Sequence, residues 1–292
     1  LYGGMSYVDN VDTLLVDGQL AIDVYQVLQI IDHNVYSFEA GHAQEPYGTT
    51  RHSSHEERES VGLFQHASYM NHSCLNNTNR SMTGDMMIVR ANKATAKGTE
   101  ITTCYLSPNI GEPRRNAELY RIWKFQCDCK LCASETAANV DWKPIFDEIR
   151  SYRLSQDLHD AELMKDIIDK AQKLVVKFED CYPENLFEVG QMPRIALREL
   201  QEILMIANNH LGNHESSCEH ALNFIRDSGY NLSMEKQSVS MDCKSGIPSK
   251  GLVDALYLLA KHESRRETAK EYLTLAKQMY LTINGTCHAW EV

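Results

Sequence analysis

No stretch of the 292-residue chain is apolar and long enough to cross a bilayer, and no signal-peptide pattern stands at its start. With membrane and secretory features missing, the expected location is intracellular, cytoplasmic or nuclear, with no membrane partner. Positive charge is scarce: 29 Lys and Arg face 40 Asp and Glu, a net charge of −11. The imbalance is uneven, with ten acids and two bases in residues 1–60 but six acids and nine bases in residues 61–140. Such a chain lacks the basic face that grips phosphates, so no direct nucleic-acid binding is expected. An acidic flank suits a basic peptide, although most of these acids read equally as solvated surface charge. The nine cysteines are too sparse for a disulfide scaffold, and none precedes Cys74. The first residue is Leu rather than Met, so a fragment or processed product is expected.

The length allows one or two domains with a sizeable core. Apolar residues at Leu20, Val24, Val27, Leu28 and Ile31 have a helical period, and residues 34–38 read as a strand. Residues 41–60 read as a surface loop in which His42, His52 and His55 lack ligand spacing and receive no role. A strand-like run over 60–69 leads into Asn71-His72-Ser73-Cys74. Residues 86–90 and 101–105 form short β runs separated by the Lys97-Gly98 turn, and 114–124 form a helix. Beyond Asp141 the pattern becomes helical. One stripe runs from Leu163 to Phe178, a second from Leu197 to Leu211 and a third from Ala269 to Ile283, each read as a core face. Residues 238–250 read as a polar loop. Paired helices of this kind resemble tetratricopeptide-like repeats without the full repeat signature.

Chemistry concentrates in residues 64–132. Cys127, Cys129 and Cys132 form a Cys-x-Cys-x-x-Cys turn, a spacing that favours metal over disulfides in an intracellular chain. Together with Asn71-His72-Ser73-Cys74 and Gly98-Thr99-Glu100-Ile101-Thr102-Thr103-Cys104-Tyr105, this set resembles the C-terminal half of a SET domain with its post-SET zinc clip. The likeness, over roughly residues 20–135, is to protein-lysine methyltransferases of the SET and MYND type, or to relatives pairing a SET domain with tetratricopeptide-like helices. It implies an α+β fold: a partial β-rich SET domain at 1–126, a zinc-binding segment at 127–140 and an all-α tetratricopeptide-like domain at 141–292.

The resemblance implies S-adenosylmethionine and zinc as cofactors and a lysine-bearing protein or peptide, histone or not, as substrate. Cys74 becomes the fourth zinc ligand beside Cys127, Cys129 and Cys132, with Lys124 and Lys130 near enough to offset the thiolate charge. Tyr105 becomes the catalytic tyrosine, while Asn34, Asn71, His72 and Phe125 contact the cofactor, with lesser backbone contacts from Ser68 and Met70. Taken alone, Asn34 reads equally as a polar residue ending a helix, and Tyr105 and Phe125 as packed aromatics. No Asp/His/Ser constellation is present, in keeping with a transfer that depends on positioning rather than acid–base machinery. The remaining cysteines, Cys104, Cys181, Cys218, Cys243 and Cys287, read as buried thiols.

Three departures from the family pattern stand out. The Gly-x-Gly loop is not found, the MYND module is absent, and Asn76 replaces a turn proline, which is expected to loosen that turn. The isolated chain is therefore expected to bind the cofactor weakly or not at all. The competing expectation is a non-catalytic scaffold that binds protein partners.

Overall fold

The computed structural model describes residues 15–16, 19–20, 24–39, 59–83, 85–139, 160–188, 191–235 and 238–285. The expected loop over 41–60, with its three histidines, falls outside them except for residues 59 and 60, which are strand. Cys287 also lies outside the described residues.

The first part of the chain builds small two-stranded units. β1 (Leu15–Val16) and β2 (Gln19–Leu20) are antiparallel, and α1 (Val24–Asn34) follows. Tyr25, Val27, Leu28 and Ile31 of α1 remain exposed, although their spacing is that of a buried face. β3 (Val35–Glu39) pairs antiparallel with β4 (Glu59–Leu63). The strand-like run expected to Tyr69 stops at Leu63, and Gln65–Ser68 forms the single-turn α2.

β5 (Asn71–His72) lies parallel to β8 (Thr102–Thr103), with Asn71 opposite Thr102 and His72 opposite Thr103. Between them, β6 (Thr78–Thr83) and β7 (Met86–Ala91) form a hairpin. The sequence pattern misses β6, because Thr-Asn-Arg-Ser-Met-Thr shows no apolar alternation, yet Thr78, Asn79, Ser81 and Met82 are buried. Burial is tolerated because the polar groups are paired. Thr78 Oγ1 donates to the Thr102 carbonyl at 2.8 Å, and Asn79 Nδ2 to the Thr282 carbonyl at 3.3 Å. Asn77 holds the neighbouring strand from the side: its Nδ2 donates to Glu100 O at 2.8 Å and its Oδ1 accepts from Thr102 N at 2.9 Å. The Asn76 turn is pinned rather than loosened, since the buried Asn76 amide donates to the Thr78 carbonyl.

α3 (Glu112–Trp123) has Pro113 in its first turn, where a missing N–H costs nothing, and ends at Lys124 with φ +60°. α4 (Lys130–Ala138) carries Cys132 and has no apolar stripe that would have announced it. The later helices are α5 (Ala161–Glu179), α6 (Ile195–His210), α7 (His214–Asp227), α8 (Lys250–His262) and α9 (Arg266–Asn284), each packed on the next. The expected stripes bury Met164, Ile167, Ala171, Leu174 and Phe178 on α5, then Leu197, Leu200, Leu204 and Ala207 on α6. On α9 they bury Tyr272, Ala276, Met279 and Ile283, while Leu273 stays exposed.

Two expectations about this region are corrected. The domain is not all-α, and residues 238–250 are not simply a loop: β9 (Asn231–Glu235) and β10 (Ser238–Asp242) form an antiparallel hairpin. The Ser-Val-Ser-Met alternation turns Val239 into the core and leaves Ser238 and Ser240 exposed, the period-2 pattern of a half-buried strand.

The expected boundary near residue 140 does not separate two cores. Cys74, Leu119, Cys127, Leu131 and Cys132 share one hydrophobic cluster with Phe178, Phe187, Ile195 and Leu200. Buried Arg198 on α6 adds a polar tie, its Nη1 donating to Asn109 Oδ1 at 2.6 Å and its Nε to Ser228 Oγ at 3.0 Å. At the far end, α9 closes on Gly285 (φ +75°), and a Cβ there would meet the Arg90 guanidinium. Gly285→Ala is expected to destabilise the protein by about 1–2 kcal/mol through left-handed backbone strain, with Arg90 displaced besides. A urea titration checks this, and an unmoved midpoint would refute it.

Candidate transfer site and metal centre

The parallel pairing of β5 with β8 brings residues 71–72 beside 102–105, although the paired positions lie 31 residues apart in the chain. Ser73 N donates to Thr103 O at 3.0 Å and extends the contact by one rung. Tyr105 leaves this ladder half-buried, and its hydroxyl donates to the Met70 carbonyl at 2.7 Å. Its backbone N–H donates to His72 Nδ1 at 2.9 Å. Around it the His72 ring centroid lies at 5.3 Å, Trp123 at 5.0 Å, and Phe125 at 6.3 Å in an edge-to-face arrangement. Phe125 reaches this position because Lys124 adopts the left-handed conformation, which ends α3 and turns the chain back.

The other site residues expected from the sequence fall at graded distances from this cluster. Phe125 and His72 are 6.0 Å apart, centroid to centroid. Asn71 is exposed and donates from Nδ2 to Glu100 Oε1 at 2.6 Å. Asn34 directs its Nδ2 to the Ile30 carbonyl at 2.8 Å, the bond of a helix-ending residue. Its neighbour His33 touches the cluster, because its carbonyl accepts Trp123 Nε1–H at 3.0 Å. Ser68 Oγ donates to Phe64 O at 3.1 Å, and the Met70 carbonyl is taken up by Tyr105. Sequence reasoning placed Trp123 only on a helix face; its two contacts join α1 to Tyr105.

The Sγ atoms of Cys74, Cys127, Cys129 and Cys132 all lie within 4.8 Å of one another. Zn–S bonds of about 2.3 Å in a tetrahedron would separate the sulfurs by about 3.8 Å. The Cys74–Cys132 and Cys74–Cys127 separations of 3.5 and 4.0 Å bracket that value, so the donor set fits zinc. Thiol contacts with its three neighbours, Cys127 first, raise Cys74 well above the ordinary thiol range; the same kind of contacts lower Cys127, and Cys129 falls to about 6. Among the described cysteines none forms a disulfide.

Charge compensation comes from a residue that the sequence did not single out. Arg115, on α3 and fully buried, donates from Nη2 to Cys132 Sγ at 3.4 Å and to Glu135 Oε2 at 2.6 Å. Its Nη1 donates to Pro108 O at 2.6 Å. The expected charge partners, Lys124 and Lys130, are exposed, and Lys124 Nζ donates to Arg121 O instead. Arg115 lies four residues before Leu119 on the buried face of α3, whereas Lys124 ends that helix exposed and Lys130 opens α4 exposed. Cys104 is buried as expected, and burial pushes its thiol up to about 12. Cys181, Cys218 and Cys243 are only half-buried, contrary to expectation, since their helix and loop edges leave one side open.

Residues 9–106 match the SET domain family model. The chain carries a SET domain. A methyltransferase of Gibberella zeae is 40% identical over 79 residues, 27% of this chain and 11% of that protein. The protein-lysine N-methyltransferase SMYD4 of Mus musculus is 38% identical over 96 residues, 31% of this chain and 12% of the relative. The mouse histone-lysine N-methyltransferase SMYD3 is 29% identical over 97 residues, 31% of this chain and 23% of the relative. The resemblance to SET-domain proteins of the SET and MYND type is thus borne out. The matched stretch spans at most about a quarter of these relatives. The expectation of only a C-terminal half is corrected, because the SET match begins at residue 9. The short, mixed strands β1 and β2 fall inside it and carry too little periodicity to be recognised from sequence.

One zinc per chain is expected by elemental analysis, together with its loss in a Cys74→Ser, Cys129→Ser double variant. Zinc retained unchanged in that variant would rule out this ligand set.

Proposed function

We propose that this chain is part of an S-adenosylmethionine-dependent protein-lysine methyltransferase, with zinc at the four cysteines in a structural role. The observation that carries the reading is the setting of Tyr105. Its hydroxyl donates to the Met70 carbonyl, which fixes the phenol oxygen beside His72 and Phe125. An acceptor so fixed orients the N–H bonds of an incoming lysine amine and thereby directs its lone pair.

S-adenosylmethionine supplies a methyl group on a cationic sulfonium. The half-buried ring of Phe125 offers a stacking face for its adenine, with Asn71 and the backbone of residues 71–72 alongside. Asn34 belongs to the same proposed set through the contact of its neighbour His33 with Trp123. The amine must arrive neutral, and the aromatic walls of Tyr105, Trp123 and Phe125 exclude water and so favour the uncharged form. The zinc clip joins the turn at Cys74 to a segment 53 residues later and fixes Phe125, two residues before Cys127. The substrate is a protein or peptide lysine, histone or not, and the proposed location is the cytoplasm or nucleus. Among the described residues no helix is long and apolar enough to cross a membrane.

The test is transfer of labelled methyl from S-adenosylmethionine to lysine-bearing proteins, using full-length protein that contains this chain. Label on lysine is the expected result. Protein binding without transfer would favour the scaffold instead. In the same assay Phe125→Ala is expected to weaken cofactor binding by about 1–3 kcal/mol, the scale of base–aromatic stacking. An unchanged affinity would remove Phe125 from the cofactor site.

A further inference from the structure

Both ring nitrogens of His72 are engaged within the protein. Nδ1 accepts the Tyr105 N–H at 2.9 Å, and Nε2 lies 3.3 Å from Cys74 Sγ. A nitrogen that accepts an N–H carries no proton, so the neutral imidazole holds its one proton on Nε2, where it points at the sulfur. Cys74 is fully buried, which leaves its sulfur dependent on protein donors. The His72 ring therefore offers no free nitrogen to a cofactor, and the side chain that the family resemblance would assign to cofactor contact has another task.

We infer that His72 is a positioning residue that couples the metal centre to the transfer site. Its Nε2–H donates to the Cys74 thiolate, and its Nδ1 holds the backbone amide from which the Tyr105 side chain projects. Four thiolates around zinc carry a net charge of −2, and N–H donors to sulfur disperse it. His72 supplies such a donor at Cys74, as Arg115 does at Cys132. Metal occupancy thereby reaches Tyr105 through one rigid ring. The inference rests on the reading of Tyr105 as a transfer-site residue, but none of its tests requires methyl transfer. Its failure and the failure of that reading are separable.

Two variants cut the bridge at different ends. Asn at position 72 places an amide oxygen near the Nδ1 position, keeping the acceptor for Tyr105 and losing the donor to sulfur. Gln places an amide N–H near the Nε2 position and does the reverse. His72→Asn is expected to weaken zinc binding about 10–100-fold in chelator competition. With cobalt(II) in place of zinc, the same variant should move the thiolate-to-metal absorption to lower energy. His72→Gln should keep metal affinity and absorption while speeding hydrogen exchange at the Tyr105 amide about tenfold, the equivalent of one lost hydrogen bond. Chelation should speed that exchange in the wild-type protein but not in His72→Asn. An equal response in the two proteins, or unchanged metal affinity and absorption in His72→Asn, overturns the inference. Nitrogen-15 shifts of the His72 ring in the zinc-loaded wild type need no variant: the Nε2–H tautomer supports the bridge and the Nδ1–H tautomer refutes it.

Discussion

Tyr105→Phe is expected to lower single-turnover methyl transfer by about 10²–10³-fold, the usual effect of deleting one positioned polar group at a reacting centre. Cofactor affinity should change little. The phenyl ring keeps its contacts with Trp123 at 5.0 Å and with Phe125 at 6.3 Å, and the backbone bond to His72 does not involve the hydroxyl. What disappears is the bond to the Met70 carbonyl and the acceptor that this bond orients. Stability should fall by only about 1 kcal/mol, the net value of a single hydrogen bond. The rate and the affinity must be measured separately, because a general loss of folding would depress both. An unchanged rate would remove Tyr105 from the mechanism and favour the scaffold reading.

Arg115→Ala should cost about 3–5 kcal/mol of folding stability, the range for breaking a buried ion pair from one side. The Arg115 and Glu135 side chains are 0% and 1% exposed, so water cannot replace the lost partner. The same substitution removes the donor to Cys132 Sγ and leaves the Pro108 carbonyl without this bond. Chemical denaturation of the zinc-loaded protein gives the number, and a loss below about 1 kcal/mol would mean that the pair is dispensable. Above the pH at which the lone Glu135 carboxyl ionises, a second change at the partner, Glu135→Gln, should recover part of the loss by removing the stranded charge.

The pH dependence of this pair has a definite sign. Burial raises the Glu135 carboxyl to about 7, against the pull of Arg115. The folded protein therefore binds more protons than the unfolded chain from the ordinary carboxylate range up to about 7, and Glu135's contribution to stability falls as pH rises through that window. Without Arg115 the opposing cation is gone, and the window should extend to higher pH. Stability curves of wild type and Arg115→Ala across that range test the claim. A stability that rises with pH by the same amount in both would contradict it.

Legibility from sequence follows the range of the interactions. The cysteine turn at 127–132, the helix ending at Trp123 and the stripes of α5, α6 and α9 are local, because spacing along the chain already specifies them. The family resemblance added Cys74, and the structure brings its sulfur to within 3.5 Å of Cys132. β6 was not legible, since its burial depends on partners as distant as Thr282. Nor was the exposure of the α1 face: periodicity shows that a helix has an apolar side but not what meets it.

The sequence by itself determined the order of the motifs, the metal-binding spacing and the helical character of the C-terminal half, all properties of neighbours on one chain. Tertiary structure alone decided that Arg115 rather than Lys124 or Lys130 faces the sulfurs. It also decided that Cys127 and Cys132 share a core with α5 and α6, and that one ring, His72, touches both Cys74 and Tyr105. The physical reason is that a buried polar group is stable only where its partners are assembled, and here they come from segments whose spacing along the chain carries no record of the meeting.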